Sequence, residues 1–215
     1  MHLKRQKIEK FWPVPRKGTK YLSVSTHNYR KSIPLVVAMR DVLELVRNKK
    51  ELKKILNENK IKINTKTVKE TNYPLSLFDV LSLNNENYRI SLSKNKKIIL
   101  EKISGNFNNK ILKVIGKKII RDNKIQLNLI DGRNLIYNEK IAIGDSVVFN
   151  FDSRKIEKVI RLETGKTGFI IGGKHTGQKG KIEGVIERGG KKLAKINIGK
   201  RINVWVKNIV AMEEN

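Results

Sequence analysis

The sequence has no cysteine among its 215 residues, which excludes a disulfide framework and a metal site built from thiolates. Aromatic residues form only 6% of the chain, which argues against a protein that holds single strands mainly by stacking their bases. No apolar run approaches membrane-spanning length. The charged first residues, MHLKRQKIEK, have no apolar core after them as a signal peptide would. We therefore expect a cytoplasmic protein without a membrane partner.

Acidic residues are also scarce. The chain has 20 Asp and Glu against 47 Lys and Arg, which gives a formal net charge of +27 at pH 7. A charge of this size opposes a compact isolated fold and attracts polyanions. Membrane surfaces and acidic proteins are possible partners, but basic residues spread along an entire chain are more typical of a protein that binds nucleic acid. The length allows one or two ordinary domains, or several small ones.

Patterns that would indicate catalysis are weak or missing. Acids are scattered along the chain, without the spacing of a zinc-protease helix or of a catalytic carboxylate pair. His27 has no serine, cysteine or acid pair placed by the sequence to work with it. Gly168–Lys174 nearly fits a phosphate-binding P-loop, but His175 replaces the magnesium-binding hydroxyl and no predicted helix follows. The sequence therefore predicts no enzyme, no cofactor, no metal and no small-molecule substrate.

Residues 1–32 are predicted to form a basic arm. Pro13, Pro15 and Gly18 break any long helix, and Phe11 with Trp12 is predicted to dock the arm onto its own domain. A segment of this composition cannot bury enough surface to order itself and would fold on binding. Its candidate RNA-binding residues are Lys4, Arg5, Lys7, Arg16, Lys17, Lys20, His27, Arg30 and Lys31.

Two short helices are predicted next. The three-and-four apolar spacing of SIPLVVAMRDVLELV indicates the first, in which Pro34 suits the first helical position. Asn48 and Glu51 form a predicted capping box for the second helix, KKELKKIL. Lysines on adjacent turns repel one another, which favours a polyanion on that face, although a solvated face is the alternative. The candidate RNA-binding residues of the helices are Arg40, Lys49, Lys50, Lys53 and Lys54.

The apolar period switches to two after these helices. Ile61–Ile63 and Thr67–Val68 are predicted strands joined at Asn64–Thr65, and Phe78–Leu83 is a predicted closing strand. This order of parts resembles the S4-type RNA-binding module of a ribosomal protein, some pseudouridine synthases and bacterial tyrosyl-tRNA synthetases. Asn59 and Thr65 stand where that family has glycines. The resemblance makes Lys60, Lys62 and Lys66 further candidates for RNA contact.

From Tyr88 onward the pattern is almost entirely β. Alternating residues predict strands around residues 88–92 and 98–103, and Gly105–Asn109 is the predicted domain boundary. Short strands then follow, separated by turn signals of which Asp131–Gly132 is a strong hairpin indicator. We expect a central β barrel over residues 105–164.

Nine of the fifteen glycines lie between Gly165 and Gly190. Four predicted strands between residues 167 and 206 indicate a small SH3-like barrel over residues 165–215. The strand GFIIGG, the loop KHTGQKG and the strand KIEGVIE resemble a KOW motif, with Gly172, Gly173, Gly177 and Gly180 at its turn positions. Turn geometry alone would also explain these glycines. The loop residues predicted to contact RNA phosphates are Lys174, His175, Gln178 and Lys179.

The chain as a whole resembles one ribosomal family. The segments KFWPVPRKGTKY, STHNYRKSIPLVVAMRDVLEL, KIQLNLIDGRN, AIGDSVVF and FIIGGKHTGQKGKI follow the order found in S4e proteins of archaeal and eukaryotic-type small ribosomal subunits. The resemblance implies a structural protein of the ribosome whose partners are 16S/18S-type rRNA and neighbouring ribosomal proteins. It also implies a multi-domain fold, with an α+β RNA-binding module at residues 33–104 after the arm and mainly β domains behind it.

Two other functions remain open from the sequence. An RNA-modifying enzyme would present its substrate on the S4-type module and would need an active-site aspartate in a pocket, for example Asp131 or Asp145. A KOW-type transcription or translation factor would exchange on and off its machine, whereas a ribosomal protein would stay in place.

Overall fold

A computed structural model of the chain describes residues 2–28, 30–84, 86–105, 108–120 and 124–213. The fold is mainly β, with several separate sheets, and it divides into two compact units, Met1–Asn108 and Asn109–Asn215. The sequence predicts a multi-domain protein with mainly β domains, and the structure confirms this fold class. Residues 106 and 107 of the predicted boundary lie outside the described residues. No helix in the described ranges is long and apolar enough to cross a membrane.

The first unit combines short helices with a five-stranded antiparallel sheet. Its elements are β1 (His2–Lys4), a 3-10 turn (Arg5–Lys7), β2 (Tyr21–Ser23), β3 (Ser32–Pro34), α1 (Leu35–Val37), a π-helical turn (Ala38–Val42), α2 (Lys49–Asn57), β4 (Ile61–Ile63), β5 (Lys66–Thr67), β6 (Pro74–Ser76), β7 (Val80–Leu83), β8 (Glu86–Leu92) and β9 (Ile98–Ile103). The main sheet has the order β5-β4-β7-β8-β9, while β1 pairs with β2 and β3 with β6.

The N-terminal segment packs onto this unit. Trp12 is 1% exposed, and the carbonyl of Phe11 accepts a hydrogen bond from the Ile98 amide at 2.9 Å. The Phe11–Trp12 pair therefore docks the segment, as the sequence predicts. The composition predicts no order without a partner, whereas the structure pairs β1 with β2. Burial of the apolar side chains Trp12, Val14, Leu22 and Val24 orders the segment, and overall composition does not predict it.

The first predicted helix is shorter than its apolar pattern suggests. Pro34 belongs to β3, where it lies opposite Pro74, and it is the N-cap of α1 and not the first helical residue. The helix then widens into a π-helical turn in which the Leu43 amide donates to the Ala38 carbonyl at 3.0 Å. A positive φ of 54° at Glu44 follows the turn, so the predicted helical face does not continue to Val46.

The second helix and the hairpin after it agree with their sequence signals. Helix α2 follows the Asn48 cap, and β4 and β5 are joined at Asn64–Thr65. Both turn residues have positive φ, 50° and 67°, which is the geometry of a mirror-image hairpin turn. The predicted strand from Phe78 begins only at Val80, because Phe78 has a φ of 64° in the preceding turn.

The second unit contains two five-stranded antiparallel sheets. Its strands are β10 (Asn109–Ile119), β11 (Ile125–Leu129), β12 (Asn134–Ile136), β13 (Ser146–Asn150), β14 (Ile156–Ile160), β15 (Thr167–Ile170), β16 (Lys179–Arg188), β17 (Lys191–Asn197), β18 (Arg201–Trp205) and β19 (Ile209–Met212). The orders are β12-β11-β10-β13-β14 and β18-β17-β16-β15-β19. Each sheet has its own apolar core, one around Leu112 and Val147, the other around Ile170 and Ile196.

Buried polar groups connect the two sheets of this unit. Lys113 on β10 is 2% exposed, and its Nζ donates hydrogen bonds to the carbonyls of Val206 and Ile209. Ser146 on β13 accepts a hydrogen bond at its Oγ from the Ala211 amide at 3.0 Å. Because a buried polar group left unpaired destabilises the fold, these bonds fix the C-terminal residues against the central sheet.

The Lys113 ammonium gives the second unit a distinctive dependence on pH. Burial lowers the pKa of Lys113 from 10.5 to about 8. Between these values the unfolded chain binds more protons than the folded one, so the free energy of unfolding rises as the pH rises from about 8 to about 10.5. Relative to a Lys113→Met variant, we expect the wild-type protein to gain up to about 3 kcal/mol over this range. Urea unfolding of both proteins across this pH range measures the gain, and parallel pH profiles would contradict it.

Candidate nucleic-acid interface

Helix α2 is positioned by its cap and by two buried leucines. The Asn48 Oδ1 accepts hydrogen bonds from the amides of Lys50 at 2.9 Å and Glu51 at 3.0 Å. The Glu51 carboxylate accepts a hydrogen bond from the Arg47 amide at 2.7 Å. In a capping box it would instead accept from the amide of the N-cap residue, Asn48. Leu52 and Leu56 are fully buried and fix the rotation of the helix.

That rotation leaves all four lysines of the helix exposed: Lys49, Lys50, Lys53 and Lys54. Two of them lie in the first turn, where the helix dipole already presents positive charge. Glu51 is the single acid of the helix and is engaged at the cap. The arrangement costs some helix stability and concentrates positive potential on one face, which suits binding of a polyanion.

The β4–β5 hairpin presents the next cations. Lys62 and Lys66 are exposed, while Lys60 is exposed and paired with Glu58 at 2.5 Å. Asn64 holds the hairpin in place: its Nδ2 donates to Asp79 at 2.7 Å, and its Oδ1 accepts from the Val80 amide at 2.9 Å. Asn59, at the other predicted glycine position, has a φ of 55°. The chain thus adopts left-handed backbone at both positions without glycine.

A basic pocket of about 470 Å³ lies in the N-terminal segment. Its lining residues are Lys4, Arg5, Gln6, Arg16, Lys17, Gly18, Thr19 and Lys20, none of them acidic. Arg5 has a structural part, because its Nε donates to the Thr19 carbonyl at 2.7 Å and its Nη1 to the Pro15 carbonyl at 2.5 Å. The four other cations are exposed around the loop that Arg5 closes. Such a pocket attracts an anion of the size of a phosphate group.

The glycine-rich loop of the second unit has tight turns. Gly173 and Gly177 have φ values of 99° and 83°, and the Gly177 amide donates to the Ile170 carbonyl at 2.8 Å. A Cβ on Gly172 would lie 3.2 Å from the Asn208 side chain. The predicted contact residues Lys174 and Lys179 are exposed, and His175 and Gln178 are partly exposed. After Lys174 the chain makes turns and then enters β16, so the helix that a P-loop requires is not there.

The remaining predicted residues lie in the N-terminal segment and in the π-helical turn after α1. His27 is exposed and contacts Tyr73 edge to face, with ring centroids 6.0 Å apart. Arg30, Lys31 and Lys7 are exposed. Arg40 is half-buried and forms two hydrogen bonds of 2.8 Å with the Asp41 carboxylate, which raise the pKa of Arg40. Its charge is therefore partly compensated within the protein.

Asp131 and Asp145 are the candidate active-site residues of an RNA-modifying enzyme, and both interact with other groups of the fold. Asp145 is buried, and its two carboxylate oxygens accept the amides of Leu162 at 3.0 Å and Ala142 at 2.8 Å. Asp131 lies 3.2 Å from the Arg133 Nε and 3.7 Å from the Lys110 Nζ. Among the described residues, no group of three or more His, Cys, Asp or Glu side chains is placed to hold a metal. Both carboxylates therefore have structural partners.

One surface is absent from the sequence prediction. A groove in the second unit contains the exposed ring of Trp205 beside Lys191, Lys192 and Lys207. The signal was available, because the alternation in Val204–Trp205–Val206 places the tryptophan on the outer face of a strand whose neighbours are buried. The pattern of charge along the sequence does not indicate this groove, because Lys207 lies well after the adjacent pair Lys191–Lys192.

The structure defines a mainly β, multi-domain protein with positively charged surfaces on both units. A model described as "Ribosomal family S4e" matches residues 84–156. The small ribosomal subunit protein eS4 of Nanoarchaeum equitans is 34% identical over 100% of this chain and 96% of its own length. That of Methanosphaera stadtmanae is 36% identical over 85% of this chain and 78% of its own length.

A solved structure shares the fold. The crystal structure of the 30S ribosomal protein S4e from Thermoplasma acidophilum matches with a TM-score of 0.76 at 27% identity, covering 86% of this chain and 96% of that one. With relatives this similar over most of its length, the chain belongs to the ribosomal S4e family.

Proposed function

We propose that the chain is a structural constituent of the small ribosomal subunit that binds 16S/18S-type rRNA, stabilises its fold and so supports translation. The similarity to eS4 proteins along the whole chain carries this proposal. The net charge of +27 supports it, because only a polyanionic partner neutralises so many cations at once. The protein would act on the ribosome in the cytoplasm, beside neighbouring ribosomal proteins.

The finer arrangement is part of the proposal. Residues 1–32 would form the basic arm, 33–104 an S4-type module, 105–164 a central β barrel, and 165–215 an SH3-like KOW barrel. The capped α2 and the β4–β5 hairpin support the S4-type module. The two separate apolar cores of the second unit support two small β domains.

Binding would rest on phosphate neutralisation at several separate surfaces. The N-terminal pocket, the α2 lysines with the hairpin, and the loop at Lys174–Lys179 would each contact a different rRNA segment and hold the segments in fixed relation. Release of counterions would supply much of the affinity, with log K falling against log salt by roughly 0.7 to 0.9 for each phosphate neutralised. A slope near zero would contradict this mechanism.

The protein would not be an enzyme. The internal partners of Asp131 and Asp145 support this, because an RNA-modifying enzyme needs a carboxylate free to reach its substrate. An assay of uridine isomerisation in rRNA tests that alternative, and turnover would contradict a purely structural role.

Sedimentation of salt-washed small subunits tests the proposal directly. We expect the protein to remain in the washed small-subunit peak in constant proportion to the other ribosomal proteins. A KOW-type factor would instead leave the particle during the wash. Loss of the protein from washed subunits, with the other proteins retained, would overturn the proposal.

A further inference from the structure

The groove of about 440 Å³ in the second unit combines an exposed apolar floor with a cationic rim. Its exposed apolar side chains are Trp205 at 40%, Ile115 at 50% and Ile143 at 61%. The cations on its lining are Lys191, Lys192, Lys207 and the buried Lys113, and no lining residue is acidic. Exposed apolar side chains gathered in one groove are a feature of ligand-binding sites, and the cationic rim favours a negatively charged ligand.

The position of Trp205 follows from the sheet. Val204 and Val206 beside it are buried, so the indole lies on the outer face of β18. Two flexible lysines hold their ammonium groups over the ring, with Lys207 Nζ at 4.2 Å and Lys191 Nζ at 4.9 Å from the centroid. Exposed contacts of this kind are weak, and a nucleobase stacked on an aromatic ring is held more strongly.

We propose that the groove binds one unpaired nucleotide of RNA, with its base stacked on Trp205 and its phosphate held by Lys191 and Lys207. The base would take the place of an ammonium group on the ring, and the displaced lysine would reach the phosphate of the same nucleotide. This inference rests on the proposed function and adds a base-stacking site to surfaces that otherwise contact phosphates.

A nucleotide fits these features better than a segment of another protein does. One nucleotide carries a flat apolar face and a negative charge within a few ångströms, which matches a ring flanked by two ammonium groups. The groove volume is in the range of a site for a single small ligand. A stable protein interface buries roughly 1,000 Å² or more, and here it would also need acidic residues opposite each lysine.

Tryptophan fluorescence gives a direct test, because the chain has two tryptophans and Trp12 is 1% exposed. The full chain is titrated with an oligoadenylate of about eight nucleotides and, separately, with an abasic oligomer of equal length and charge. We expect saturable quenching by the oligoadenylate and little by the abasic oligomer. A Trp205→Leu variant, whose emission comes from Trp12 alone, should show no quenching and should bind the oligoadenylate about 5- to 100-fold more weakly. Trp205→Tyr should restore most of the affinity.

The outcomes separate this site from the proposed function. If the oligoadenylate binds by anisotropy without quenching, or if Trp205→Leu binds it as tightly as the wild type, the stacking site is wrong and binding of rRNA through phosphates still stands. An acidic peptide that quenches Trp205 at lower concentration than the oligoadenylate would assign the groove to a protein partner and overturn the inference. If the protein fails to bind rRNA fragments but the quenching persists, the proposed function fails while the groove remains a nucleotide site.

Discussion

Replacing Lys49, Lys50, Lys53 and Lys54 together by glutamine is expected to weaken binding to small-subunit rRNA by up to about a thousandfold at about 0.1 M salt. All four ammonium groups are exposed on α2 and can each neutralise a phosphate. If all four do so, the slope of log K against log salt becomes shallower by about 3. The helix itself should persist, because glutamine has nearly the helix propensity of lysine and the mutual repulsion of the lysines is removed.

Fluorescence anisotropy of a labelled rRNA fragment over a range of salt concentrations measures both effects. The matched control replaces four exposed lysines outside the proposed surfaces, Lys94, Lys117, Lys118 and Lys155, so that the change in net charge is the same. We expect a much smaller loss of rRNA affinity in the control. The circular dichroism spectra of both variants should match that of the wild type. Equal losses in the two variants would mean that total charge, and not the α2 surface, governs binding.

Gly180→Ala is expected to destabilise the second unit strongly. A Cβ at this position would lie 2.4 Å from the backbone carbonyl oxygen of Asn197 and 2.7 Å from Ile196 Cγ2. Neither contact is the free end of a flexible side chain, so β16 and β17 would have to separate. Overpacking of this kind typically costs about 1–3 kcal/mol of unfolding free energy, and we expect the upper end of that range.

Gly184 provides the control on the same strand. A Cβ there meets no atom within 4 Å, so Gly184→Ala should change the free energy of unfolding by less than about 0.5 kcal/mol. Urea denaturation of the two variants and the wild type compares them directly. If Gly180→Ala proves as stable as Gly184→Ala, the expected steric clash between a Cβ at position 180 and strand β17 is wrong.

Local signals in the sequence identify the parts of the fold that depend on nearby residues. Asn48 caps α2 because its side chain needs amides only two and three residues away. The Asn64–Thr65 turn forms because asparagine tolerates positive φ and the strands beside it alternate. Both features are predictable since their partners lie within a few residues.

Elements that depend on distant pairing are harder to predict. Pro34 looks like a helix start, but its pairing with Pro74 places it in a strand. Strand β19 follows a short 3-10 turn, and its partner β15, Thr167–Ile170, lies far earlier in the sequence. The Phe11–Trp12 pair predicts that the N-terminal segment docks onto its own domain, but nothing local shows that its backbone partner is Ile98 on β9.

The candidate RNA-binding residues show the same difference between local signals and long-range contacts. The sequence identifies which residues carry positive charge and, from periodicity, which of them face solvent. It does not reveal that the guanidinium of Arg5 is held by backbone carbonyls or that Arg40 is paired with Asp41. It also does not bring Lys191 and Lys207 to the same indole ring, because that depends on how β17 and β18 pair.

The buried bonds of Lys113 and Ser146 have a consequence for biosynthesis. The ammonium of Lys113 finds its first acceptor 93 residues downstream, and the hydroxyl of Ser146 finds its donor 65 residues downstream. A nascent chain can complete the first unit while the second still exposes unpaired strand edges and lacks the carbonyls that accept hydrogen bonds from Lys113 in the folded protein. The second unit is thus the part most exposed to aggregation during translation, until residues 206–212 have left the exit tunnel.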